Sequence, residues 1–428
     1  MKSYSNLKES GLDWLKDIPA HWKLLKLKYV FNNLDYKRIP LSSEERGSMK
    51  HKIYDYYGAS GVIDKVENYI FDEPLILIGE DGANLYSRST PLAFVAEGKY
   101  WVNNHAHILK PKNGNLYYWA NLLESIDYTT YITGSAQPKL TQDALANIVL
   151  PVPSLEEQRT IWKYLSEKLK DIDSLIEGKK ALITLLEEKR QSTITEAVTK
   201  GLNPNVKMKD SGVEWIGEIP EYWELSRIKY VASLLNGDRG ENYPSGNDFV
   251  DEGIPFITSH SLNKQYVEYS KVNYITEERY QLLRGIKIKD KDIIYCLRGS
   301  VGKNAFVTKD GGTIASSLMG IRANNKIHSG FLSYLLNSNL EIGNRMVLTT
   351  GSVSDNLSAE NVGTYIITLP NLQEQLDIIT VLDKKTKLID ESILSMEFQI
   401  QKLKDYRQSL IYEAVTGKID VRDFEVKE

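Results

Sequence analysis

Apolar positions recur at alternating steps of four and three in two long stretches of this chain. Leu165, Leu169, Ile172, Ile176, Ile183 and Leu186 form the first series. Ile379, Leu382, Ile389, Ile393, Met396, Ile400, Leu403 and Leu410 form the second. This spacing predicts two long amphipathic helices with a coiled-coil seam. From Ser154 to about Lys200 there is no proline and a single glycine, Gly178. Ser154 with Glu157, and Asn371 with Glu374, read as capping boxes, and Pro151 and Pro153 block backward extension. Gly201 and Gly417 mark the ends. About 45 residues at 1.5 Å each give a rod of roughly 70 Å.

Outside these stretches the pattern shortens. Apolar runs at Leu75–Ile78, Tyr100–Leu109 and Asp292–Cys296 are separated by Gly and Asn/Asp turns and predict β-strands. The order of parts then repeats. Lys8–Val30 and Lys209–Val231 share 11 of 23 positions, including an SGxxWxxxIPxxW motif that starts at Ser10 and again at Ser211. Arg190–Thr199 and Arg407–Thr416 share eight of ten. A shift of 217 aligns Gly82 with Gly299, Leu140 with Leu357 and Pro153 with Pro370, whereas the shift at the start of each half is 201. The second mixed segment thus carries about 16 extra residues, and its sequence has diverged. A period near 200 is too long for a solenoid repeat, so this is a domain duplication. The expected division is 1–153, a helix at 154–201, 202–370, a helix at 371–418, and a tail at 419–428. Two helices of equal length in one chain would pair antiparallel and hold two α+β domains at a fixed separation.

Composition bounds the function. At 428 residues, each half can bury its own core, and 42% hydrophobic with 26% charged residues is ordinary for a globular protein. The net charge of −4 argues mildly against a nucleic-acid partner unless charge is segregated between faces. One cysteine, Cys296, excludes a disulfide framework and a cysteine-based zinc site, and fits a reducing cytoplasm. No apolar run approaches the ~18 residues of a membrane span.

Catalytic signatures are scarce. Gly299–Lys303 (GSVGK) is too short for a phosphate-binding loop, and Asn304 follows the lysine. His105-x-His107 lacks further ligands at suitable spacing, so hydrogen bonding or packing explains it better than zinc. Glu80-Asp81 lies in a glycine-flanked turn, and turn chemistry accounts for it as well as acid–base catalysis does. The polar turns suit a partner surface better. In the first half they are Gly79–Asn84, Arg88, Asn103–His107 and Gly134–Lys139. In the second they are Asp238–Tyr243, Arg298–Lys303, Ser316-Ser317 and Gly351–Asn356. A basic cluster, Lys37, Arg38, Arg46, Lys50, His51 and Lys52, adjoins Tyr54, Tyr56 and Tyr57. Such side chains read base edges and hold phosphates; each taken singly is better explained as a solvated loop residue, and the set is more persuasive than any member.

The layout resembles the specificity subunits of type I restriction–modification systems over essentially the whole chain. The resemblance rests on the paired SGxxWxxxIPxxW openings, the helix starts at Leu150–Gln158 and Leu369–Gln375, and the paired RQSTITEAVT and RQSLIYEAVT. WVNNHAHIL at Trp101–Leu109, DRGENYP at Asp238–Pro244, RGSVGK at Arg298–Lys303 and IASSL at Ile314–Leu318 are similar to recurrent segments of target-recognition domains. It implies two α+β target-recognition domains joined by two long antiparallel coiled-coil helices with pseudo-twofold symmetry. Each domain would read half of a split site on double-stranded DNA, and the helices would set the spacer. Two methyltransferase subunits would dock on the helices, and restriction and translocase subunits would join them. S-adenosylmethionine, ATP and Mg would sit on those partners, and this cytoplasmic chain would hold no cofactor, no metal and no catalytic residue. The DNA-contacting candidates are Arg88, Asn104, His105, Gln137 and Lys139 in the first domain. In the second they are Arg239, Tyr243, Arg298, Ser300, Lys303, Ser317 and Ser352. The competing readings are a coiled-coil scaffold that binds proteins without DNA specificity and an enzyme whose site the motifs do not reveal.

Overall fold

The computed structural model describes residues 2–134, 137–263, 265–349 and 356–424. The chain divides into two compact units, residues 1–179 with 398–428, and residues 180–397.

The first unit is built on an antiparallel four-stranded sheet. Its strands are β1 (Phe31–Asn33), β2 (Leu75–Gly79), β3 (Ala93–Ala96) and β4 (Ala106–Pro111), in the order β1-β4-β2-β3. Every residue of β2 is buried, which is why its sequence is a continuous apolar run and not an alternation. The apolar run at Tyr100–Leu109 is not one strand. It splits into Tyr100–Val102, which joins a separate three-stranded sheet, and β4. The physical cause is Asn103, whose side-chain oxygen accepts the His105 backbone N–H at 2.8 Å and turns the chain.

The second unit repeats the plan in a longer form. Its strands are β5 (Ala232–Asn236), β6 (Ile293–Cys296), β7 (Asn304–Phe306) and β8 (Leu318–Ala323). They run in the order β5-β8-β6-β7, and two short strands, Tyr266–Val267 and Leu262–Asn263, extend the far edge. β5 pairs with β8 as β1 pairs with β4, and β6 is fully buried as β2 is. A second, four-stranded sheet includes Ile254–Ile257 and Asn273–Ile275, and its parallel pairing with Thr313–Ile314 matches that of Tyr54–Gly58 with Tyr100–Val102 in the first domain's three-stranded sheet.

Two long helices, α1 (Leu155–Lys200) and α2 (Leu372–Val415), cap this frame. Leu165, Leu169, Ile172 and Ile176 are buried on α1, and Leu382, Ile389, Ile400 and Leu410 on α2. The other expected seam residues, Ile183, Leu186, Ile379, Ile393, Met396 and Leu403, are half-buried. Antiparallel pairing shows in two ion pairs, each inside its own unit. Arg190 Nε lies 2.9 Å from Asp390, and Arg407 Nε lies 3.0 Å from Asp173. Both partners are related by the 217-residue shift, so the same two residue types make the equivalent bridge in each unit.

The caps are half boxes. Ser154 and Asn371 accept the backbone N–H groups of Glu157 and Glu374 at 3.2 and 3.0 Å. The two glutamates turn instead to the duplicated opening motif. Glu157 bonds Tyr4 OH at 2.6 Å and His21 at 3.0 Å, and Glu374 bonds Trp223 Nε1 and Tyr222 OH, both at 3.0 Å. The helix ends meet the same motif. Gly417 packs against Pro19 and Trp22, and Gly201 against Trp223. Both glycines have positive φ, 75° and 74°, as a left-handed C-terminal cap needs. Each opening motif therefore clasps the start of one helix and the end of the other. In the first unit residues 2 and 420 also meet: Asp420 N–H donates to Lys2 O at 2.8 Å.

Candidate nucleic-acid interface

Three loop segments converge at one end of each central sheet, and the same backbone bonds tie them together. In the first domain Glu80 N–H donates to His105 O and Leu140 N–H to Glu80 O, both at 2.8 Å. In the second, Leu297 N–H donates to Ser317 O at 2.8 Å and Leu357 N–H to Leu297 O at 3.0 Å. Segments 80–82, 103–105 and 137–140 thus correspond to 297–299, 315–317 and 357. The arrangement of strands is shared, and the side chains on these loops are not.

In the first domain the loops stand on a buried charge network. His107 is fully buried, with Nδ1 2.6 Å from Asp35 Oδ2 and Nε2 2.8 Å from Leu140 O. Both neighbours are acceptors. Asp35 also accepts from Ile108 N–H at 2.7 Å and from Asn33 at 3.1 Å. Arg38 bonds Glu80 and the Ala106 carbonyl, and Lys139 Nζ lies 3.1 Å from Glu80 Oε1. Burial pushes both carboxyls up, but the bonds from His107 and Arg38 outweigh it and hold Asp35 and Glu80 below their ordinary values. Asp35, Glu80 and His107 lie close enough to ligate a cation together. The Arg38 and Lys139 charges already occupy that role.

Above this network, Asn104 and Gln137 are exposed. His105 is half-exposed and its Nδ1 sits 2.8 Å from Asp81 Oδ2. The two histidines of the His-x-His pair therefore do not converge: His105 faces the surface and His107 the core. Arg88 is placed elsewhere. It sits at positive φ, 48°, bonds Glu124 and lies over the Tyr128 ring. The basic cluster is also largely engaged: Arg46 and Lys52 both pair with Asp64, at 3.0 and 3.2 Å. Lys37, Lys50 and His51 remain exposed.

In the second domain Arg298 and Ser300 are exposed on the β6–β7 hairpin. The glycines of the GSVGK segment, Gly299 and Gly302, have φ of 78° and 86° and close that hairpin. Lys303 turns inward and bonds Ser259 O at 2.9 Å. Ser317 is half-buried, and Tyr243 packs edge-on against Phe256 at 5.7 Å. Arg239 Nε donates to Ser316 O at 3.2 Å, which ties it to the Ser316-Ser317 loop. Ser352 lies outside the described residues. The sequence reading missed Asp35, whose partner His107 is 72 residues away, and a set of cations at 284–289 whose only signal was a dense run of lysine and aspartate.

Matches to known proteins follow the duplication. The family model for the type I restriction modification DNA specificity domain matches residues 19–185 and again residues 220–395. The chain belongs to this family. The MjaVIII type I restriction enzyme specificity subunit of Methanocaldococcus jannaschii is 25% identical over 425 residues, covering 95% of each chain. A putative type I specificity subunit of Haemophilus influenzae is 25% identical over 413 residues, covering 93% of this chain and 96% of the other. A solved structure described for the complex assembly and conformational transition of the type I R-M system superposes with a TM-score of 0.67 at 14% identity. It covers 94% of this chain and 99% of that one, and it supports the fold. As a specificity-subunit family member, the chain carries two copies of the domain, and the converging loops described above lie within the two matched segments. Among the described residues, no helix is long and apolar enough to cross a membrane.

Proposed function

We propose that this chain is the sequence-reading, non-catalytic subunit of a type I restriction–modification complex. Each domain reads one half of a bipartite, asymmetric site on double-stranded DNA through its converging loops. The paired helices set the unread spacer and dock two methyltransferase subunits, and restriction and translocase subunits complete the assembly. S-adenosylmethionine, ATP and Mg belong to those partners. The observation that carries this reading is the loop constellation built twice on matching sheets with different side chains. A duplicated frame with unlike surfaces suits a split target with unlike halves.

The residue roles follow from exposure. Asn104, His105 and Gln137 in the first domain and Arg298 and Ser300 in the second are exposed and would meet base edges, with the half-buried Ser317 beside them. Lys139 is half-exposed above Glu80 and can meet a phosphate from that position. Lys303 and Tyr243 support the loops. Partner subunits share the neutralisation of phosphates, which reconciles a net charge of −4 with DNA binding.

The test is a genome-wide map of N6-methyladenine in host cells with and without an in-frame deletion of this chain. Loss of a split, asymmetric methylated motif is the expected result. An unchanged map in cells where the methyltransferase subunit is expressed would overturn the reading in favour of a protein-binding scaffold.

A further inference from the structure

The second domain has a basic cleft along the outer edge of β5. It encloses about 650 Å³ between β5 and the loop that follows Glu277–Leu282. Arg239, Arg284, Lys287, Lys289 and Arg322 line it, against one acid, Asp238. That acid is spent on shape. Its carboxylate accepts the backbone N–H groups of Gly240 and Arg284, both at 2.8 Å, and these bonds hold its pKa below the ordinary value. Two cations are structural as well. Arg322 forms a two-pronged pair with the buried Asp292 at 2.7 Å. The Lys287 ammonium lies 3.5 Å over the Tyr280 ring.

Arg284 and Lys289 are different. Both are exposed, and among the described residues neither side chain has a hydrogen bond or ion pair. Arg239 links this cleft to the base-facing loop through Ser316 O. At the strand position equivalent to Arg322, the first domain has Lys110, which is paired with Glu73 at 2.5 Å.

We infer that this cleft grips the phosphodiester backbone of DNA beside the half-site read by the second domain, with Arg284 and Lys289 as the phosphate contacts. The inference rests on the proposed DNA-reading function. The chemistry fits: among the charged groups of the lining, cationic donors outnumber the single acid by five to one, as a polyanion needs. Backbone contacts fix register without reading sequence.

The test uses the full chain assembled with its methyltransferase subunits. Binding to a duplex carrying the methylated motif and to an unrelated duplex is measured by fluorescence anisotropy across a salt series. In R284Q/K289Q, the slope of log affinity against log salt should shrink by about 1.8, or ~0.9 per lost contact. Both duplexes should weaken by the same factor, and the methylated motif should not change. Wild-type binding with an unchanged slope in a variant of normal thermal stability would overturn the cleft assignment alone. So would an altered motif, which would make these residues base readers. A wild-type assembly that binds neither duplex would overturn the parent reading instead. If the double variant melts early, K289Q alone, at an exposed position, should still lower the slope by about 0.9.

Discussion

Asp35 shows how one side chain supports a recognition surface. It is buried, and it joins β1 to β4 by accepting from His107 and from Ile108 N–H. Removing the carboxylate leaves the buried His107 ring and the Ile108 N–H without their acceptor, so D35A should cost about 2–5 kcal/mol at neutral pH, measured by urea unfolding. The pH dependence has a definite sign. Asp35 and Glu80 are held below their ordinary values of 3.8 and 4.5. Their stabilisation is complete above those values and is lost as pH falls through the lower folded-state values. The first domain should therefore weaken below about pH 4.5, and the penalty of D35A should shrink at pH 3. An equal penalty at both pH values would assign the effect to packing. At this scale the sequence was half legible. His107 was read as a bonded or packed histidine, and it is one. Asp35 and the cleft residue Arg284 were not singled out, because their roles depend on neighbours distant in the chain.

Whole elements were more legible, because their signals are local and periodic. The two long helices follow from the seam spacing and the terminal glycines. The strand boundaries near Asn103 did not, since a side-chain bond that ends a strand has no periodic signature. Two glycines on the helices have opposite reasons to exist. Gly178 lies inside α1 with open space around it and an ordinary helical φ. Gly417 has a positive φ, and an added Cβ would strike Pro19. G178A should therefore raise stability by about 0.5–1 kcal/mol, whereas G417A should lower it by roughly 1–3 kcal/mol. Thermal unfolding of both variants checks the pair, and shifts of the same sign would contradict this account.

At the scale of the molecule, the duplication was the strongest signal in the sequence, and it pointed to the family before any site could be assigned. The contact residues stayed obscure for the same reason: the frame repeats and the reading loops do not. If the helices set the spacer, their length has a readable consequence. Lys179 bonds Gln399 across the helix pair at 2.6 Å. Seven residues inserted after Lys179 and seven before Gln399 keep the seam in register and lengthen each rod by ~10.5 Å. The spacer in the methylated motif should grow by about three base pairs at 3.4 Å per step, with both half-sites unchanged. A constant spacer would refute the ruler.

The bond between Asp420 and Lys2 has a consequence for connectivity. Each opening motif receives the incoming end of one long helix, so the link from α2 back to the first motif is the spatial counterpart of the covalent link at 201–207. In topological terms, the backbone bond between residues 420 and 2 stands where a covalent link from α2 to the first motif would run. Joining residue 420 to residue 2 covalently and opening the chain between Gly201 and Met208 would exchange the order in which the two halves are synthesised, while the strand pairings within each unit keep their partners. For this architecture, first and second are labels of translation, not of structure.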